Sequence, residues 1–210
     1  MQTTGDLVAA AAELPAGVQL GEDQLDGADA LGGVQVGGIA AATRGNADFQ
    51  LGGIGVIAGS SSLGQIGGIA TLARHSASTQ VAGIAAFAGD NSDLQLGGIG
   101  VMTRGRAHVQ VAGIAAVAGG AELQVAGIAA VSRGEGNIQI GGIATSAGVA
   151  NVQVAGIANV ADRVRGVQIG TVNIARRVEG VQVGVVNIGG NAGGNSFGLI
   201  NIVPGGRTDL

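Results

Sequence analysis

The sequence predicts an all-β repeat array, and three observations carry that reading. Glutamine recurs at every fourteenth or fifteenth position, at Gln35, Gln50, Gln65, Gln80, Gln95, Gln110, Gln124, Gln139, Gln153, Gln168 and Gln182. Each opens a nearly identical apolar phrase, Gln-x-Gly/Ala-Gly-Ile-Ala or a close relative, as in Gln80 to Ala85. Hydrophobic residues make up 46% of the chain beside 43 glycines, which supplies apolar surface to bury while opposing helix by roughly 1 kcal/mol per glycine. Self-similarity at a fixed period marks a stacked architecture in which each repeat covers its neighbours.

Taken in order, residues 1–33 read as an N-terminal cap, 34–203 as the array and 204–210 as a tail. Asp6 to Leu14 is Ala-rich and stopped by Pro15, the composition of a short helix. Gly17 to Gly21 is a degenerate repeat, and Glu22 to Gly33 an acidic linker. A cap of this kind stops edge-to-edge association of an array. Phe197 to Ile202 forms a twelfth copy, with Ser196 in the glutamine's place, and Val203-Pro204-Gly205-Gly206 ends it.

Within a repeat the predicted element is one strand of about nine residues followed by a turn of about five. From Leu123 to Ser132 one strand face reads Leu123, Val125, Gly127, Ala129, Val131 and the other Gln124, Ala126, Ile128, Ala130, Ser132. Both faces are apolar or small apart from the glutamine, as in a sheet covered on both sides. The turns alternate: Arg44, Gly59, Arg74, Gly89, Arg104, Gly119, Arg133 and Gly148 each lie at the fifth position past the repeated Ile. This alternation makes the predicted unit a pair of strands spanning two glutamine intervals, with basic turns on one side and Ala-Gly turns on the other.

Two architectures satisfy that unit. The preferred one is a flattened two-sheet β-solenoid of about 30 residues per coil, in which Gln35, Gln65 and Gln95 stack as one amide ladder and Gln50, Gln80 and Gln110 as another. The alternative is a 12-stranded antiparallel β-barrel in a membrane. A barrel calls for an aromatic girdle and a polar lumen, and the chain has three Phe with no Trp or Tyr.

Composition excludes several functions. No Cys means no disulfide framework and no thiolate chemistry. Net charge is −4, with six acids and no base in residues 1–33, so neither part carries a nucleic-acid footprint. His75 and His108 sit beside arginines and read as solvated turn residues. Ser60-Ser61-Ser62 has no base at a fixed offset. Gly53 to Ala58 matches a dinucleotide fingerprint only through its glycine content. Asp90 and Asp93 share a turn without metal-ligand spacing. The uncharged stretches Phe49–Ala73 and Asn137–Ala161 are too interrupted by Gly and Gln for membrane helices. No catalytic, cofactor-binding or metal residue is predicted, and the protein is not expected to be an enzyme.

One collective polar feature stands out. Arg44, Arg74, Arg104, Arg133 and Arg163 form a candidate anion-facing edge, suited to envelope lipid or lipopolysaccharide phosphates. The same arginines equally serve to keep an edge soluble and block strand addition.

Toward the C-terminus the phrase becomes Gly166-Val167-Gln168-Ile169-Gly170-Thr171-Val172-Asn173-Ile174, then Gly180 to Ile188, then Gly198 to Ile202. These resemble the Gly-Val-Gln-x-Gly-x-Val-Asn-Ile repeats of bacterial surface-repeat proteins, closely over 166–202 and more loosely over 34–161. The resemblance implies a bacterial cell-envelope or surface setting and offers no catalytic residues. The start, Met-Gln-Thr-Thr-Gly-Asp, does not read as a signal peptide. The expected function is a non-enzymatic structural or surface-display array whose partner is itself or envelope lipid, with no nucleic acid and no small-molecule substrate. A membrane pore is the alternative, and an ice-binding solenoid lacks the regular Thr array it needs.

Overall fold

Every strand pairing described within either unit of the chain is parallel, which a β-solenoid requires and an antiparallel barrel forbids. The computed structural model describes residues 18–26, 33–191 and 193–204. It divides into two compact units, 1–98 and 99–210. The short helix expected over Asp6 to Leu14 and the tail after Pro204 lie outside the described residues.

In the first unit β1 (Val18–Asp26) pairs with β2 (Val34–Thr43), so Gln19 of the degenerate repeat stands in register with Gln35. Glu22 to Asp26, assigned from sequence to an acidic linker, continue that strand instead. Beyond β2 each repeat contributes two short strands. β3 (Ala47–Gly52), β5 (Ser62–Gly67), β7 (Ala77–Ala82) and β9 (Ser92–Gly97) stack as one ladder. β4 (Gly55–Ala58), β6 (Ala70–Ala73) and β8 (Ala85–Ala88) stack as the other. The second unit, running from β10 (Gly100–Ala112) to β20 (Ile200–Ile202), repeats the scheme, with some neighbouring strands joined through their corner.

The register corrects the expected coil length. Gln50 pairs with Gln35 and Gln65 with Gln50, so one coil spans a single glutamine interval, half the predicted unit. The cause lies in the Gly-Ile step, read from sequence as mid-strand. At Gly68 a Cβ would lie 2.0 Å from the Gly53 carbonyl oxygen of the preceding coil. Only a glycine lets the two backbones meet there, and from Gly53 onward the chain turns a corner at each such step. The expected strand is therefore broken into two, and one repeat completes one circuit.

Five residues per coil point inward, for example Gln65, Gly67, Thr71, Ala73 and Ala77. Four of the five are small, so the core is too narrow for Leu or Phe. The largest fully buried side chains are the glutamines themselves. The shorter repeats keep this register by tightening a corner: Ala58 and Ser62 become Ala118 and Ala121.

Candidate functional site

The glutamine amides form one ladder in each unit, where alternate ladders were expected. In the first unit Gln50 donates through Nε2 to Gln35 Oε1 (2.9 Å), Gln65 to Gln50 (2.9 Å), Gln80 to Gln65 (2.7 Å) and Gln95 to Gln80 (2.6 Å). In the second, Gln124 donates to Gln110 (2.7 Å), Gln139 to Gln124 (2.8 Å), Gln153 to Gln139 (2.8 Å), Gln168 to Gln153 (2.6 Å) and Gln182 to Gln168 (2.8 Å). Ser196, in the glutamine's place, donates to Gln182 Oε1 at 3.2 Å.

The second amide hydrogen crosses the core. Gln65 Nε2 reaches the Leu72 carbonyl (3.0 Å), Gln80 the Phe87 carbonyl (2.8 Å) and Gln139 the Ser146 carbonyl (2.9 Å). Gln65, Gln80 and Gln139 thus each tie both strands of their own coil to the coil before. The backbone carbonyl also fixes which way the amide faces, since only the NH2 end can donate to it. Aligned in one direction, successive amides polarise one another and strengthen the chain of bonds.

A second ladder, which the sequence reading did not assign, runs the opposite way. Asn159 Nδ2 donates to Asn173 Oδ1, Asn173 to Asn187 and Asn187 to Asn201, each at 2.8 Å. Thr145 Oγ1 supplies the Asn159 Oδ1 acceptor with its partner at 2.5 Å. The remaining amide hydrogens go to the carbonyls of Ile169, Val183 and Phe197. Glutamines donate toward the preceding coil and asparagines toward the following one, so the two columns of dipoles oppose and partly cancel. The signal was present in the recurrence of Asn in Val-Asn-Ile, once per repeat.

The arginine edge forms in part. Because a coil is one repeat, Arg and Gly turns fall in the same column: Gly59 and Gly89 back onto the Arg44 and Arg74 carbonyls, Gly119 and Gly148 onto those of Arg104 and Arg133. The predicted separation into a basic side and an Ala-Gly side is thereby corrected. Guanidiniums recur at every second coil, ~10 Å apart where direct neighbours would be ~4.8 Å, which relieves like-charge repulsion between stacked cations. Arg163 leaves this column. It faces Glu179 at 3.5 Å, while Asp162 takes the column position and pairs with Arg176 at 3.2 Å. Glu135 also joins Arg165 (2.8 Å) and Arg106 (3.7 Å). These pairs are exposed, each contributing at most about 1 kcal/mol.

The other candidates are dispersed. His108 lies within β10 rather than in a turn, facing Glu122 at 3.7 Å. Ser62 is buried and donates to the Gly64 carbonyl, while Ser61 borders a shallow polar groove with Asn46, Asp48 and Ser76. Asp93 sits on β9, separated from the Asp90 corner. Gly53 to Ala58 is a corner and a strand with no helix after it. Among the described residues no three of His, Asp and Glu converge as a metal site, and no helix is long and apolar enough to cross a membrane.

One surface escaped the sequence reading. In the glutamine-bearing strands of the second unit, the residues immediately before and after each Gln point outward and are aliphatic in coil after coil. Val109, Leu123, Ile138 and Val152 form one column of the second unit, Val111, Val125, Ile140 and Val154 the next. The corner isoleucines Ile114, Ile128, Ile143 and Ile157 flank them, 43–55% exposed. No family model matches the chain, and neither a curated protein nor a solved structure matches it.

Proposed function

We propose that the protein is a non-enzymatic structural repeat protein of the bacterial envelope, a stiff β-solenoid body that carries polar turns at its surface and associates with copies of itself. The observation that carries this reading is where the buried polar groups go. Each core glutamine spends its amide on the neighbouring glutamines, and where the second hydrogen is accounted for it binds its own coil's backbone. Polar groups consumed this way hold a scaffold in register and present nothing to a substrate. The envelope setting rests on the likeness of Gly166 to Ile202 to surface-repeat sequences.

Partition and sedimentation test the proposal. The full chain should remain in the aqueous phase without detergent, show concentration-dependent sedimentation above the monomer mass, and give no conductance in planar bilayers. Detergent dependence with conductance, or a strict monomer at every concentration, would contradict it.

A further inference from the structure

We infer that the outer aliphatic face of the second unit's glutamine-bearing sheet is the surface through which two copies of this chain pack. This rests on the self-association reading above and specifies its face. Parallel sheets are almost always covered on both sides. Here the inner side is covered by the small-residue core, while the outer side, just as apolar, faces water.

The face is regular and uncharged. From Val109 to Val183 its two central columns are Val, Leu and Ile throughout, without a charged residue. Ile140 and Ile169 stand 43% and 45% exposed on it. Coils rise by a constant ~4.8 Å, so a second copy presents the same ridges at the same spacing, and its rows interdigitate with the first in the manner of paired sheets. At that rise the six coils span ~29 Å, and with ~20 Å across the three columns the face offers on the order of 600 Å² per copy. Two copies then bury about 1,200 Å², the lower limit of a specific interface.

A lipid surface fits less well. Interfacial anchors combine aromatic belts with Lys or Arg beside the apolar surface. The chain has no Trp, Tyr or Lys, and its arginines lie in the corner columns and paired clusters described above.

Sedimentation equilibrium of the full chain across a concentration series tests the assignment. The wild type should dimerise reversibly, and Ile140→Lys/Ile169→Lys should weaken dimerisation at least tenfold with unchanged circular dichroism and melting temperature. Should the lysine pair fail to fold, Ile140→Thr/Ile169→Thr, which keeps the β-branched shape, should show the same direction of effect. Arg133→Ser, at the polar corner, should dimerise like the wild type. Assembly that persists within twofold in folded flank variants would overturn this face while leaving the self-association reading intact. A wild type that is monomeric throughout would overturn both. Monomers that bind neutral phosphatidylcholine vesicles, and lose that binding in the flank variants, would assign the face to lipid and overturn the inference.

Discussion

At the residue scale the glutamine decides the structure because each amide closes bonds in two directions. Gln124 donates to Gln110 Oε1 and to the Val131 carbonyl, and its Oε1 accepts from Gln139 and Ser132. Gln124→Leu leaves several buried groups unpaired at ~1–3 kcal/mol each, so chemical denaturation should show a loss of about 3 kcal/mol. A loss under about 0.5 kcal/mol would show the ladder to be incidental to stability. Thr71 makes the converse case. Its Oγ1 is buried without a hydrogen-bond partner between Val56 and Ala86 of the adjoining coils. Thr71→Val keeps the shape and removes the orphan, so it should stabilise the protein by about 1 kcal/mol in the same measurement. That glutamines would stack was legible in the sequence, because a lone polar group repeating in an apolar strand must find its own kind. The asparagine ladder was less so: it occupies only the C-terminal coils, and its column holds Ala116, Ala130 and Thr145 earlier in the same unit.

At the element scale the Gly-Ile corner sets the coil. Gly68→Ala would push a methyl against the Gly53 carbonyl, a backbone atom that cannot swing aside. The expected cost is roughly 3 kcal/mol, at the upper end of overpacking and well above the ~1 kcal/mol gain that Gly→Ala brings at an unstrained site. A melting temperature at or above that of the wild type would refute the close approach. This corner also explains why the sequence reading doubled the coil. Gly-Ile-Ala looks like strand when only β-propensity and apolar character are weighed, and no positive φ is needed to make the bend. The alternating Arg and Gly turns then suggested two edges. In the structure they share one column, and the doubled period reflects charge spacing along it.

At the scale of the whole molecule, each unit is a stack whose coils touch only their neighbours, so stability accumulates coil by coil. The parallel, two-faced apolar strands were legible in the sequence; what covers the outer face was not, since a single chain's pattern does not distinguish an inner layer from a partner. One coil takes one glutamine interval and no more. With no native cysteine, Met102→Cys and Ile188→Cys can carry spin labels at two outward positions of the second unit that lie off the proposed dimer face. The register steps from Met102 through Val117, Val131, Ser146, Val160 and Ile174 to Ile188, which is six coils. Double electron–electron resonance should therefore return a separation of ~29 Å, at ~4.8 Å per coil. A separation near ~14 Å, the value for coils of twice that length at the same rise, would contradict the fold described here.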